Sequence, residues 1–141
     1  MMLISQFLSK YTGVKVDYDG VYGAQCVDLF RQYCKDVLNI PHTGACATSG
    51  GAKDLYLDYN KMPLEKKYFT ALTKRAVPQT GYIAIWGSTP TNNYGHVAIV
   101  ISQLADGSLL VFEQNGFAQD GAKFAVRSTE NMLGYLKYKG V

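Results

Sequence analysis

The sequence predicts an α+β fold in which N-terminal helices pack on a mostly antiparallel sheet of five to six strands. Helical spacing of apolar residues is confined to the first half of the chain, and short runs rich in branched and aromatic residues occupy the second half. An Asp-Gly pair between two of these runs is typical of a tight hairpin, which joins antiparallel strands. Helices followed by hairpin-linked strands indicate an α+β domain.

The composition is that of a single globular domain, which we assign to residues 1–141. Apolar residues make up 48% and charged residues 18% of the chain, a balance that is typical of globular proteins. The net charge of +3 is small and scattered, so we expect no nucleic-acid partner, and no run is apolar enough for membrane insertion. Three cysteines without a CxxC pair and two histidines fit neither a disulfide framework nor a tetrahedral zinc site. We expect a monomer.

The first predicted element is a helix in the segment CVDLFRQYCKDVL, which begins at Cys26 and is ended by Asn39 and Pro41. Its apolar face carries Phe30, Tyr33, Cys34, Val37 and Leu38. A second, shorter helix is predicted from about Gly51 to Asp58, after a loop rich in glycine and serine. The six candidate strands are YFTAL, YIAIW, HVAIVIS, SLLVFEQ, KFAVRS and LGYLKY.

Cys26 stands where a loop ends and the first predicted helix begins. Its sulfur would meet the free amide groups and the positive end of the helix dipole, a placement that favours the nucleophilic thiolate. The alternative is a buried structural cysteine, which is the more common role of a free cysteine. We assign that structural role to Cys34, on the apolar face of the helix, and to Cys46, in a loop.

His96 opens the strand HVAIVIS, at the end of a loop from which its side chain can reach a cleft. If Asp106 and Gly107 form a two-residue hairpin turn, even-numbered residues of this strand share a face with odd-numbered residues of the next. His96 then points to the same side as Glu113 and Asn115. A bulge or a longer turn would slide one of these two past the other, so the residue that contacts the imidazole stays open.

A thiol, an imidazole and a polar orienting group are the components of nucleophilic acyl transfer, in which the third group fixes the tautomer of the second. The candidate set is Cys26, His96 and one of Glu113 and Asn115. The structural alternative makes His96 a satisfied histidine at a strand end and makes the other two polar residues of an exposed sheet face. The shared face favours the catalytic interpretation, because it brings ordinary residues together.

A candidate calcium site precedes the first helix. Asp17, Asp19 and Asp28 occupy positions 1, 3 and 12 of a loop counted from the first aspartate, and Val21 and Gly23 would offer backbone carbonyls at positions 5 and 7. The match to an EF-hand loop is partial, because position 6 is a tyrosine and position 12 is not a glutamate. Three carboxylates near the candidate nucleophile would oppose a thiolate, and a bound Ca²⁺ would cancel their charge. The alternative is an aspartate-rich turn without a metal.

Four segments in this order, DYDGVYGAQCVDL, TGYIAIW, GHVAIVI and FEQNG, closely resemble the CHAP family of cysteine, histidine-dependent amidohydrolases and peptidases. The resemblance runs from about Asp17 to Gly116 and is strongest to catalytic domains of endolysins from phages of Gram-positive cocci. It implies a papain-like fold in which the catalytic roles of nucleophile, general base, orienting group and assisting group belong to Cys26, His96, Glu113 and Asn115. It also implies a calcium ion whose ligands are Asp17, Asp19, Asp28 and the carbonyls of Val21 and Gly23.

The function implied by this resemblance is hydrolysis of an amide bond in the peptide part of bacterial peptidoglycan. An endopeptidase and an N-acetylmuramoyl-L-alanine amidase would use the same residues, so both stay open. The backbone amide of Cys26 would stabilise the oxyanion together with a second donor, for which Tyr22 and Gln25 are both candidates.

The opening residues lack the features of a secretory signal, so we expect a phage lysin that is made in the host bacterial cytoplasm and acts on the wall after release. An alternative from another class is a non-catalytic wall-binding or virion tail-associated module, whose eleven tyrosines could stack on sugars. A pure binding module would have no use for a thiol at a helix start. A third hypothesis, a cytosolic protease of folded or signalling proteins, has no sequence feature of its own.

Overall fold

The computed structural model describes residues 1–20, 24–40, 51–114 and 120–140. The helices in these segments are α1 (Ile4–Tyr11), α2 (Cys26–Asp36), α3 (Asp54–Leu57), a 3-10 helix (Tyr59–Lys61) and α4 (Pro63–Tyr68). The strands are β1 (Phe69–Thr73), β2 (Ile83–Trp86), β3 (His96–Gln103), β4 (Leu109–Glu113), β5 (Lys123–Arg127) and β6 (Met132–Tyr138). They form an antiparallel sheet in the order β1-β6-β2-β3-β4-β5, which confirms the predicted α+β fold.

The helices agree with the prediction at the functional end of the chain and differ from it elsewhere. α2 begins at Cys26 as predicted, and Asn39 beyond its end adopts a φ of 55°, which a helix cannot continue. α3 begins later than predicted, because Gly51 has a φ of 101°. The sequence-based prediction lacks α1 and α4, and α4 includes Tyr68, which the prediction assigns to the first strand. None of the helices in the described segments is long and apolar enough to cross a membrane.

The sheet is apolar on both faces near its centre. All four residues of β2 are buried, which is the environment that a short continuous apolar run predicts. The face toward α2 contributes Ile83, Ile85, Val97, Ile99 and Phe112 to a cluster shared with the helices. The opposite face forms a second cluster, which contains Ala84, Trp86, Ala98, Val100, Leu109, Val111 and Tyr135. Both faces therefore hold the central strands in place.

The first helix connects α2 to the sheet through one aromatic side chain. Phe7 is 0% exposed, and its ring centroid lies 5.3 Å from that of Tyr33 on α2 and 6.2 Å from that of Phe112 on β4. Burial of a side chain of this size stabilises a fold by about 1.5–3 kcal/mol. Tyr11, one helical turn further on, is buried on the same side.

The hairpin between β3 and β4 corrects the predicted turn and keeps its consequence. Hydrogen bonds from Leu104 N to Ser108 O (2.8 Å) and from Gly107 N to Leu104 O (2.9 Å) close a three-residue turn, so the predicted two-residue turn is wrong. A bulge at Ile101 then adds a second one-residue shift, between the pairs Val100↔Val111 and Ser102↔Leu110. Two shifts of one residue restore the predicted parity beyond Val100. Even-numbered residues of β3 therefore share a face with odd-numbered residues of β4 at the end where His96 lies.

Glu65 on α4 is a buried carboxyl group without a charged partner in the described part of the chain. It is 0% exposed, and neither of its carboxylate oxygens has a hydrogen-bond partner there. Burial raises the pKa of Glu65 from 4.5 to about 9. The folded protein therefore holds a proton between these two pH values that the unfolded chain has lost.

Replacement of Glu65 by Gln should make the free energy of unfolding less dependent on pH. The contribution of the neutral carboxyl is fully present below pH 4.5. It is lost as the pH rises toward 9, by up to about 1.4 kcal/mol per pH unit. We expect urea unfolding across this range to show a steeper decline for the unmodified protein than for Glu65→Gln. The exposed Glu130→Gln is the control, and equal slopes for all three proteins would contradict the assignment.

Candidate active site

Cys26 is the first residue of α2, and the extended residue Gln25 precedes the helix. α2 packs against β3, the strand that begins at His96. The thiol of Cys26 is partly exposed, whereas Cys34 is buried, as a structural cysteine should be. The packing of this helix on this strand therefore places a reachable thiol at the end of the strand that carries the imidazole.

The backbone before His96 is fixed by a close approach between β2 and β3. Gly95 has a φ of +75°, and a Cβ at this position would stand 2.4 Å from the carbonyl oxygen of Trp86. Glycine is the residue that tolerates both conditions. The ring centroids of Trp86 and His96 lie 5.8 Å apart, and His96 is 7% exposed. The indole and the sheet thus limit the orientations that the imidazole can adopt.

The imidazole connects the thiol to a carboxylate. His96 Nε2 lies 3.0 Å from Glu113 Oε1, and the side chain of His96 also forms a hydrogen bond with Cys26. An ionised carboxylate can only accept, so Nε2 carries the hydrogen in this contact. Nδ1 is then the ring nitrogen that remains for the sulfur. Of the two orienting residues left open by the sequence, Glu113 contacts the ring, and this is the order of groups in nucleophilic acyl transfer.

Arg127 holds Glu113 from its other side. Its Nε donates to Oε1 and its Nη2 donates to Oε2 at 2.8 Å, a two-pronged contact that fixes the plane of the carboxylate. Glu113 is only 2% exposed, so these contacts replace the water that it loses. Arg127 is a part of the site that the sequence analysis missed.

The register of β4 and β5 explains why Arg127 was hard to find. Lys123 lies directly opposite Glu113, and a cross-strand pairing argument would choose it as the partner. Its ammonium group instead contacts Asp120 at 3.3 Å near the surface. The available signal is parity, because odd-numbered residues of β5 share the face of Glu113, and Arg127 is one of them.

The charges of the site support one another. Burial by itself would raise the pKa of Glu113, but hydrogen bonds and positive charges of His96 and Arg127 outweigh burial and lower this pKa to about 2. Burial would likewise lower the pKa of His96, and the contacts with Cys26 and Glu113 outweigh it, so this pKa is raised. The geometry thus favours a protonated imidazole between a carboxylate and a sulfur, which is an environment that stabilises thiolates.

The three predicted aspartate ligands lie together. Carboxylate oxygens of Asp17, Asp19 and Asp28 are all within 4.8 Å of one another. Burial is the largest cause that raises the pKa of Asp28 to about 6, and the negative charges of Asp19 and Asp17 act in the same direction. Arg31 Nη1, 3.2 Å from Asp19 Oδ2, offsets part of this charge. Clustered carboxylates with excess negative charge fit the oxygen ligands that Ca²⁺ prefers.

Five residues named from the sequence lie outside the described residues: Val21, Tyr22, Gly23, Cys46 and Asn115. The two carbonyl ligands, the oxyanion role of Tyr22, the structural role of Cys46 and the assisting role of Asn115 therefore stay predictions. For Gln25, the other oxyanion candidate, the backbone N–H donates to Asp28 Oδ2 at 2.9 Å. Only its side chain is left as a donor to a substrate.

A polar groove of about 1060 Å³ passes His96. One wall is the loop between β2 and β3, and the other wall contains residues 126–128, 130 and 131. Asn131 Nδ2 donates to the carbonyl oxygens of Gly87 (3.2 Å) and Ser88 (2.8 Å), which ties the two walls together. The groove gives an extended polar chain access to the imidazole.

Comparison with known proteins places the sequence among cell-wall enzymes of phages. A model of the CHAP domain matches residues 15–115. The D-alanyl-L-alanine endopeptidase of Streptococcus phage B30 is 32% identical over 126 residues, which are 86% of this chain and 26% of that protein. Endolysin PlyTW of Staphylococcus phage Twort is 29% identical over 113 residues, which are 77% of this chain and 22% of that protein. The chain thus spans about a quarter of the length of these relatives.

Solved structures show the same fold. The wild-type endolysin LysIME-EF1 superposes with a TM-score of 0.71 and 24% identity, over 97% of this chain and 64% of that one. Ly7917 superposes with a TM-score of 0.67 and 22% identity, over 99% of this chain and 63% of that one. The arrangement of helices and sheet is therefore shared with endolysins.

Replacement of Arg127 by Met should destabilise the protein most at neutral pH. The change leaves Glu113 buried without two of its donors, at a cost of about 1.5–3 kcal/mol in the free energy of unfolding. The favourable contribution of Glu113 is present above pH 4.5 and is lost as the pH falls toward 2. The difference between variant and unmodified protein should therefore narrow in acid.

Urea unfolding at several pH values measures this difference. Lys123→Met removes a cation from the same strand at a solvent-exposed position and should change the free energy of unfolding by less than about 0.5 kcal/mol. A cost for Arg127→Met that equals that of the control would contradict the role of Arg127.

Proposed function

Because the chain belongs to the CHAP domain family, we propose that it hydrolyses an amide bond in the peptide part of bacterial peptidoglycan, with Cys26 as the nucleophile. The observation that carries this proposal is the buried series of contacts from Cys26 through His96 to Glu113. The groove beside His96 supports it, because a wall peptide needs an open path to the thiol.

In the proposed reaction the Cys26 thiolate forms a bond to a peptide carbonyl carbon, and the carbonyl oxygen takes up the electron pair. The Cys26 backbone amide, at the N-terminus of α2, is suited to stabilise this oxyanion. The carbon–nitrogen bond then breaks, and the amine leaves with a proton from His96. Water, deprotonated by His96, hydrolyses the thioester and restores the thiol. Glu113 keeps the imidazole in the required tautomer throughout.

The relatives support a wall substrate and a role in phage biology. The name of the Streptococcus phage B30 protein, D-alanyl-L-alanine endopeptidase, favours the bond between D-alanine and L-alanine over the muramoyl amide. Both curated relatives are phage proteins, and the second is an endolysin. We therefore propose a phage lysin that is made in the cytoplasm of its host and acts on the cell wall after release.

The aspartate cluster is proposed to hold Ca²⁺. Asp17, Asp19 and Asp28 would supply carboxylate oxygens, and Val21 and Gly23 would supply carbonyl oxygens. A bound divalent cation would neutralise negative charge close to the start of α2, which favours a thiolate there. The proximity of the three carboxylates supports this assignment.

Replacement of Cys26 by Ala should abolish hydrolysis and leave the fold intact. Purified walls of a streptococcus and a staphylococcus are suitable substrates, and the release of new amino termini measures the reaction. Cys34→Ala is the matched control, since Cys34 is 2% exposed and its loss should cost stability without loss of turnover. Wall hydrolysis by Cys26→Ala at an unchanged rate would rule out the nucleophile.

Mass spectrometry of the released fragments identifies the bond. A free L-alanine amino group on a peptide that has lost its muramic acid indicates an amidase, and cleavage after D-alanine indicates the proposed endopeptidase. Intact fragments with the unmodified protein would contradict the proposed activity.

Addition of Ca²⁺ to chelator-treated protein should raise its melting temperature. A ligand that binds the folded state at 100 times its dissociation constant stabilises a protein by about 2.7 kcal/mol. Asp19→Asn should weaken this response, whereas Asp120→Asn, an exposed aspartate outside the cluster, should retain it. An unmodified protein that melts at the same temperature with calcium and with chelator would exclude the site.

A further inference from the structure

Gln114 is a buried amide next to Glu113 that the reaction described above does not use. It is 1% exposed, and all the hydrogen-bonding groups that it needs are present. Its Oε1 accepts from Val16 N at 2.7 Å, while its Nε2 donates to Val16 O at 2.7 Å and to Gln25 O at 2.9 Å. Both hydrogens of the amide are therefore used, and the two contacts with Val16 fix which way the amide group faces.

The contact with Gln25 reaches the nucleophile through a single peptide group. The carbonyl oxygen of Gln25 and the backbone N–H of Cys26 belong to the same peptide unit, which is planar and trans. A hydrogen bond that fixes the direction of the carbonyl therefore also fixes the direction of the Cys26 N–H. Asp28 N donates to the same carbonyl oxygen at 3.0 Å, so this oxygen is held from the helix side as well.

We propose that Gln114 is a positioning residue that aims the Cys26 backbone N–H at the oxyanion of the reaction. This inference rests on the proposed role of Cys26 as the nucleophile. Glu113 and Gln114 are neighbours in the chain, so one short segment orients both the general base and the oxyanion donor. The interaction differs from general stabilisation in one respect: it affects reactions of Cys26 that pass through an oxyanion more than reactions that do not.

Two small reagents separate these reactions without a wall substrate. With p-nitrophenyl acetate the Cys26 sulfur bonds to the acetyl carbon through a tetrahedral oxyanion, and p-nitrophenolate leaves with the electron pair of the broken carbon–oxygen bond. With iodoacetamide the sulfur displaces iodide from a methylene carbon, and no oxyanion forms. Peptide-resolved mass spectrometry measures the rate of each modification at Cys26 and leaves other nucleophiles out of the measurement.

The variants are chosen to remove the contact in two ways. Gln114→Met removes all three hydrogen bonds, and Gln114→Glu keeps an acceptor for Val16 N–H but has no donor for Gln25 O. Gln103→Met, at an exposed position on β3, is the matched control. Cys34 serves as an internal reporter of folding, because a side chain that is 2% exposed resists iodoacetamide only while the protein is folded.

We expect both Gln114 variants to acetylate Cys26 on the order of 10- to 100-fold more slowly than the unmodified protein, since a misdirected oxyanion donor has a cost of this order. Alkylation of Cys26 should stay within about threefold, and the control should match the unmodified protein in both reactions. Equal acetylation rates would overturn the proposal. A parallel fall in both reactions, or alkylation of Cys34 in both variants, would assign Gln114 a purely structural role and overturn it too.

This measurement is independent of the natural substrate. If the unmodified protein leaves wall fragments intact while the acetylation rates differ as expected, the proposed wall hydrolysis fails and the role of Gln114 holds. If walls are cleaved and the acetylation rates are equal, the wall hydrolase holds and the role of Gln114 fails.

Discussion

The carboxylate of Glu113, bound by His96 on one side and by Arg127 on the other, is the interaction on which the site depends. A charge that is 2% exposed persists only with partners, and the same partners then define its direction. The three side chains come from β3, β4 and β5, which are neighbours in the sheet. Strand pairing therefore sets the distances between them, and the imidazole needs no flexible loop to hold it.

The thiol comes from a different layer of the protein. Cys26 is placed by α2, and α2 is placed by a core in which Phe7, Tyr33 and Phe112 join helices to sheet. A shift of this helix would separate the sulfur from the ring without any change in the sheet. Contacts that bridge the two layers close to the chemistry, such as those of Gln114, limit that freedom where it matters most.

The fold and the central pair of residues could be predicted from sequence, because they depend on local periodicity and on one hairpin. The shared face of His96 and Glu113 survived an incorrect turn because the extra turn residue and the bulge at Ile101 offset each other. Arg127 could not be predicted, since the register of β5 depends on a connection without a turn signal. Gln114 contacts Val16, which is 98 positions away, and no local pattern reports a contact of that range.

The bulge at Ile101 has a consequence for how this hairpin can vary. Deletion of one residue from the turn, with the bulge retained, would rotate the end of one strand by half a pleat relative to the other. Glu113 would then face the helices, and its apolar neighbour would face the imidazole. Insertions and deletions in this hairpin are therefore expected to accumulate in twos, so that among related chains a lengthened or shortened turn is accompanied by the gain or loss of a bulge.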